Sequence, residues 1–198
     1  MYYYLKGILK EKEPELVILE VGGIGFQIYV PLSLFSELPP PGEEVLLYTY
    51  LHVREDGVNL YGFLTPESRR IFTLALGVRG IGPRVALSIT GTMSPLEFTH
   101  AVLAEDDALL TKIPGIGPKT AQRLILELKE KLRELAPELT GRELSPGERV
   151  SDWQEAIGAL VVLGYTPEEA RPAVETVAEA GDELEELVKK ALRYLGEK

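Results

Sequence analysis

The chain has 198 residues, 45% of them hydrophobic and 26% charged, with no cysteine and a formal net charge of −10. That length fits one ordinary domain or two to three small ones, and the missing cysteines exclude disulfides, thiol catalysis and cysteine metal sites. No run approaches the ~18 apolar residues of a transmembrane helix, and the first residues lack the basic-then-apolar pattern of a secretory signal, so a cytoplasmic protein with no membrane partner is expected.

Residues 1–64 read as strands. Tyr3 to Leu9, Leu16 to Val21, Ile24 to Val30, Val45 to Val53 and Val58 to Phe63 are short, rich in β-branched and aromatic types, and bounded by turn residues. Gly22-Gly23 marks a hairpin turn. Five such strands predict a small barrel of the OB kind, a fold that serves either to bind nucleic acid or as a scaffold. Glu55-Asp56-Gly57 joins the last two strands; Asp-Gly is itself a hairpin signal, which accounts for Asp56 and Gly57 but not for Glu55. Two carboxylates at a loop tip also suit a metal ion, but nothing nearby in sequence completes a ligand set.

Thr65-Pro66 opens a helical region, with an N-cap and a proline at the first helical position. Within it one phrase occurs twice. Val78-Arg79-Gly80-Ile81-Gly82-Pro83-Arg84 returns 35 positions later as Ile113-Pro114-Gly115-Ile116-Gly117-Pro118-Lys119, followed by Thr120. Each copy is entered from an apolar run and leads into another, so each predicts a helix, a tight hairpin and a second helix. The glycines permit backbone angles that a β-carbon obstructs and let a ligand approach the main chain. Proline then sits at the first turn of the next helix. A helix N-terminus with free N–H groups is a ready anion site, and Arg84 and Lys119 add a full charge there. A Walker loop requires Gly-Lys-Ser/Thr, but Pro83 and Pro118 separate glycine from cation. The dinucleotide fingerprint needs a third glycine where Val85 and Thr120 stand. A single Gly-x-Gly-Pro is accounted for by a tight helix connection, whereas a duplicated one with a cation in register points to a row of phosphates.

Ser94 with Glu97 forms a capping box that starts a connecting helix from Pro95 to about Ala104. After Pro118, Ala121, Leu124, Ile125, Leu128, Leu132 and Leu135 make an apolar stripe; Arg123 lies off it, either reaching a phosphate or simply solvated. Residues 137–150 lose that periodicity and read as a flexible linker. Residues 151–198 read as three short helices, started by Ser151 with Gln154, Thr166 with Glu169, and Asp182 with Glu185. Leu160, Leu163 and Tyr165 surround the turn at Gly164; the pattern assigns the two leucines to the core and Tyr165 to the surface.

Charge is unevenly distributed. Residues 1–64 carry 4 basic and 9 acidic groups, residues 65–140 carry 10 and 9, and residues 141–198 carry 7 and 13. Only the region with both hairpins escapes the acidic bias, and a backbone binder needs its cations on one face rather than a basic total. The acidic last module fits a protein partner better than DNA.

The hairpins resemble the helix-hairpin-helix motif, and their combination with Val53-Arg54-Glu55-Asp56, Leu60-Tyr61-Gly62-Phe63 and Leu163-Gly164-Tyr165 resembles the RuvA family over nearly the whole chain. The resemblance implies an α+β protein: an OB-like barrel (1–64), a tandem helix-hairpin-helix domain (65–136), a linker (137–150) and a UBA-like three-helix module (151–198). It implies a non-enzymatic homotetramer, singly or in pairs, that holds an open four-way DNA junction without reading sequence and needs no cofactor. Arg79, Gly80, Gly82, Arg84, Gly115, Gly117, Lys119, Thr120 and Arg123 would grip the backbone, and Glu55 and Asp56 would form an acidic pin at the crossover. Leu160, Leu163 and Tyr165 would engage the hexameric ATPase RuvB, and the resolvase RuvC would be a further partner. Two other classes compete. A metal-dependent repair nuclease needs converging carboxylates, yet the pairs Glu55-Asp56 and Asp106-Asp107 do not point together by spacing, and His52 and His100 are isolated. A single-strand binder needs exposed aromatic platforms, and strand alternation should bury part of the one cluster, Tyr2-Tyr3-Tyr4.

Overall fold

The computed structural model describes residues 2–55, 57–140, 150–178 and 184–196. The chain divides into two compact units, residues 1–141 and 142–198.

Strands β1 (Tyr4–Glu13), β2 (Leu16–Val21), β3 (Ile24–Tyr29), β4 (Glu44–Arg54) and β5 (Gly57–Phe63) close a barrel in the order β1-β2-β3-β5-β4. Neighbours are antiparallel except β3 and β5, which meet in parallel at Tyr29 and Tyr61. Alternation places Leu5, Leu9, Val17, Leu19, Ile28 and Leu47 in one apolar interior; each fully buried side chain of this size contributes roughly 1.5–3 kcal/mol. β1 runs four residues past its expected end. Its extension, Lys10-Glu11-Lys12-Glu13, is too polar to read as a strand, yet it pairs with β2 across a bulge between Leu9 and Glu11, and Lys10 bridges to Glu20 at 2.8 Å. A one-turn helix α1 (Leu34–Glu37) was not expected. Leu34 and Leu38 plug the barrel core from it, but four residues between prolines give no periodic signal.

The tyrosine cluster departs from expectation. Tyr2, Tyr3 and Tyr4 are 48%, 55% and 55% exposed, although β4 pairs with this start, Tyr4 standing opposite Tyr48 and the Thr49 N–H donating to the Tyr3 carbonyl at 2.8 Å.

Helices α2 (Pro66–Leu76), α3 (Pro83–Thr92), α4 (Pro95–Leu103), α5 (Asp107–Leu110) and α6 (Pro118–Thr140) pack against the barrel through α2. Phe72 of α2 is fully buried and meets Tyr50, Tyr61 and Phe63 at ring distances of 5.5, 5.1 and 5.0 Å. Beside it, Arg69 donates from Nε to the Thr49 carbonyl at 2.6 Å and lays its guanidinium on the Tyr3 ring. The capping signals are present as read: the Thr65 hydroxyl accepts from Ser68 N–H, and Ser94 and Glu97 cap each other reciprocally. In α6, Ala121, Leu124, Leu128 and Leu132 are buried, while Arg123, Glu127 and Lys131 are exposed. α6 continues to Thr140, past the boundary read at 136, and the rest of the expected linker up to 149 lies outside the described residues. Proline removes its own N–H and crowds the carbonyl four residues back, a cost that a long packed helix absorbs.

The second unit is formed by α7 (Val150–Val162), α8 (Pro167–Val177) and α9 (Leu184–Gly196), three helices as read. Its core is built of small residues, Ala156, Ala170, Ala173 and Ala191, with Leu160, Val174 and Leu187. Ser151 lies inside α7 rather than ahead of it. At α8 the Glu169 carboxylate accepts from both the backbone N–H and the hydroxyl of Thr166. The expected cap at Asp182 lies outside the described residues.

Candidate nucleic-acid interface

The two hairpins share their main-chain geometry. Val78 and Ile113 enter buried, and each accepts from the isoleucine three residues on: Ile81 N–H to Val78 O at 3.1 Å, Ile116 N–H to Ile113 O at 3.0 Å. Between them Gly80 and Gly115 have φ of +91° and +89°. That left-handed region strains any residue with a β-carbon, so these two positions require glycine. Gly82 and Gly117 begin the next helices, accepting from Ala86 and Ala121 N–H at 3.0 and 2.9 Å.

The second glycine of each pair has a different role from the first. Gly82 has φ −93°, open to any residue, and Gly117 is not in the left-handed region. A β-carbon at either would meet no protein atom within 4 Å. They leave open space over the main chain rather than a special angle, so the two roles expected of the glycines, turn geometry and close approach, fall on different members of each pair. At α3, Pro83 has no N–H and Gly82 no capping side chain, so the amides of Arg84 and Val85 face outward as a helix start leaves them. Arg84 and Lys119 are both exposed at the same place in their helices. Outward amides at the start of α3, with a cation at each of the two helix starts, are suited to phosphate oxygens.

The hairpins are also tied together. Arg123, on α6, donates from Nη1 to the main-chain carbonyl of Arg79 at 2.9 Å. Val85, on α3, packs on Gly115, where an added β-carbon would lie 3.1 Å from its Cγ2. Sequence reading grouped Arg79 and Arg123 as separate phosphate contacts and missed this bond, which no spacing rule reveals across 44 residues. Thr120 is half-buried, with its N–H bonded to Gly117 O at 2.9 Å.

The acidic turn stands elsewhere on this unit. β4 and β5 pair as far as Arg54 and Gly57, and Glu55 and Asp56 stand between them in sequence. Glu55 is exposed; Asp56 lies outside the described residues. Val53 and Val58, paired across the strands, are 65% and 64% exposed, so this hairpin projects beyond the barrel wall. His52 Nε2 accepts from Arg54 Nε at 2.7 Å.

In the second unit Leu160 is fully buried, Leu163 is 60% exposed and Tyr165 is half-buried. Leu163 therefore leaves the core to which the pattern assigned it, and Leu160 offers no atoms to a partner directly. Val162, 88% exposed, extends the apolar surface of Leu163 and was overlooked because a valine in an apolar run reads as core.

Barrel, duplicated hairpin and outward-facing amides define a tandem helix-hairpin-helix protein on an OB-type barrel. Family models match along the chain: the RuvA N terminal domain over residues 1–62, a SAM-like helix-hairpin-helix tandem over 72–130 and the RuvA C-terminal domain over 151–196. Curated relatives named Holliday junction branch migration complex subunit RuvA include those of Coxiella burnetii (strain CbuG_Q212), 42% identical over 98% of both chains, and Acetivibrio thermocellus, 43% identical over 98% of both. That of Enterobacter sp. (strain 638) is 43% identical over 96% of this chain and 97% of its own. The chain belongs to the RuvA family.

Proposed function

We propose that this chain is the non-catalytic, junction-binding subunit of a branch-migration complex, holding a four-way DNA junction open through its sugar-phosphate backbone. The observation that carries this reading is the pair of hairpins with matching φ at Gly80 and Gly115, a cation in register after each, and Arg123 bridging them. Phosphate contacts position a duplex without reading its sequence, as a subunit that follows a moving crossover requires. The names of the relatives support the choice of junction.

In this reading Arg79, Gly80, Gly82, Arg84, Gly115, Gly117, Lys119, Thr120 and Arg123 line the backbone contacts. A homotetramer, alone or paired face to face, gathers four copies of the Glu55-Asp56 turn at the crossover. A like-charge pair at ~8 Å costs only about 0.5 kcal/mol in water but roughly fourfold more at an effective dielectric near 20. Several together penalise continuous duplex laid across the centre, where an open junction leaves a hole. The second unit engages RuvB through Leu163 and Tyr165, with Leu160 beneath them, and RuvC acts on the same junction. The cytoplasm is the working compartment; no helix among the described residues is long and apolar enough to cross a membrane.

Exposure of Tyr2, Tyr3 and Tyr4 favours one rival, single-strand stacking. Tyr3, however, already carries the Arg69 guanidinium on its ring, and Tyr3 and Tyr4 meet Tyr48 edge-on. Gel-shift titration with duplex, single strand and four-way junction, with and without magnesium, tests the proposal. Junction preference without cleavage is expected. Equal binding to single strand, or magnesium-dependent cutting, would overturn it.

A further inference from the structure

Along β4 the side chains of Tyr50, His52 and Arg54 share one face, and the last leads directly into the acidic turn. The Arg54 Nε–H donates to His52 Nε2 at 2.7 Å. A guanidinium is always a donor, so this bond requires an unprotonated Nε2, with the imidazole proton on Nδ1. The ring is half-buried between Tyr50 and Tyr61, at 6.1 and 6.4 Å. Among the described residues neither Arg54 nor the adjacent Glu55 belongs to an ion pair. A flexible arginine next to a carboxylate ordinarily folds onto it, and here Arg54 lies back along the strand on His52 rather than pairing with Glu55.

We propose that His52 is a positioning residue: it holds Arg54 away from the Glu55-Asp56 turn, keeps the turn's negative charge uncompensated, and releases Arg54 when protonated. The inference rests on the reading of that turn as a repulsive element against duplex. Among the described residues, the groups facing His52 are Tyr50 and Arg54 from its own strand, Tyr61 from β5 and, behind Tyr61, Tyr29 from β3; its cross-strand partner Asn59 carries no charge. None of these is a carboxylate. Burial and Tyr29 hold the Tyr61 hydroxyl proton more tightly than usual, and the Arg54 charge opposes them, consistent with a guanidinium lying over this face. When Nε2 takes a proton the Arg54 bond breaks, two cations stand side by side, and the guanidinium turns toward the adjacent Glu55. Released, Arg54 neutralises part of the charge that rejects duplex, so junction selectivity weakens on acidification.

The test is the ratio of junction to duplex affinity, measured by fluorescence anisotropy on the full-length protein at low salt, at about pH 8 and about pH 5.5, which bracket imidazole titration. The wild-type ratio is expected to narrow by about threefold or more on acidification, the scale of one exposed charge pair. H52F, which removes the acceptor and keeps a ring, should be narrow at both pH values. H52Q, whose amide oxygen accepts from Arg54 and does not titrate, should be wide at both. H52F/R54Q, with no cation to release, should also be wide at both. E55Q/D56N separates the two levels of argument. If E55Q/D56N leaves the ratio unchanged, the acidic-turn reading itself fails. If it narrows the ratio while H52F keeps wild-type selectivity, or while H52F/R54Q stays as narrow as H52F, that reading stands and the role of His52 is overturned. Should H52F not fold, a wild-type pH response retained in H52Q would be equally decisive against it.

Discussion

Arg123 Nη1 donates to the Arg79 carbonyl at 2.9 Å, so a cation from the second hairpin unit is fastened to the main chain of the first. One terminal nitrogen is committed to architecture while the exposed remainder of the guanidinium is available to a phosphate. Among the described residues Arg84 and Lys119 have no such commitment. Replacing either with alanine should leave thermal stability unchanged, weaken junction binding alike for unrelated sequences, and reduce the salt slope by about one counterion for each phosphate no longer neutralised. Arg123→Ala should weaken binding and reduce the salt slope in the same way, but should in addition lower stability by roughly 1 kcal/mol, the net value of a typical hydrogen bond. Salt-dependent titrations paired with thermal melts check the difference; an unchanged melting point for Arg123→Ala would show that the bridge contributes nothing.

The four hairpin glycines should separate into two classes. Gly80→Ala and Gly115→Ala each place a β-carbon at positive φ, at a cost of about 1–2 kcal/mol. Gly115→Ala should be the worse, because its β-carbon lies 3.1 Å from Val85 Cγ2, whereas at Gly80 the nearest atom is the mobile Arg123 Nη1 at 3.4 Å. Val85→Ala should recover part of the stability that Gly115→Ala removes. Gly82→Ala and Gly117→Ala should melt close to wild type yet bind junction DNA poorly, since the added methyl occupies the space a phosphate approaches. Denaturant midpoints and junction affinities on these variants test the division.

The pattern of legibility has physical causes. The hairpins were readable because duplication fixes register: Val78 and Ile113, then Ile81 and Ile116, repeat in sequence and again in burial. Barrel strands were readable wherever alternation survived, but the Lys10–Glu13 end of β1 is held by cross-strand charge pairs and backbone bonds that hydropathy does not see. The split between the glycines was not readable, since Gly-x-Gly has the same letters whether a position needs positive φ or open space. Leu160 and Leu163 sit three apart in one apolar run, and only the end of α7 at Val162 determines that the first is buried and the second exposed.

Acidification should loosen the start of α8. The Thr166 backbone N–H, and secondarily its hydroxyl, hold the Glu169 carboxyl below the usual glutamate value of 4.5. A depressed folded-state pKa means the stabilisation is present above the ordinary glutamate range and is lost as pH falls through the lower folded value. Carbon-detected NMR titration should place the Glu169 midpoint below 4.5. Thr166→Val should raise it only part of the way, because the backbone donor remains. A full return to the ordinary value would make the hydroxyl, not the backbone, the main cause.

The second unit offers a way to tell contact from support. Ending the chain after residue 141 removes this unit alone, and junction affinity and the number of protomers per oligomer should stay as in wild type while motor-driven branch migration disappears. Within the full chain, Leu160→Ala and Leu163→Ala should both impair migration, for different reasons. Leu160 is fully buried in a core made mostly of alanines, so its truncation should cost about 2–5 kcal/mol and melt the unit. Leu163 is 60% exposed and Val162 88%, so Leu163→Ala and Val162→Ser should leave the fold within about 0.5 kcal/mol of wild type. Their migration defect should instead follow weaker capture of the ATPase, measured by surface plasmon resonance at fixed junction occupancy. Normal ATPase binding by the Val162→Ser, Leu163→Ala double variant would move the partner surface off the end of α7.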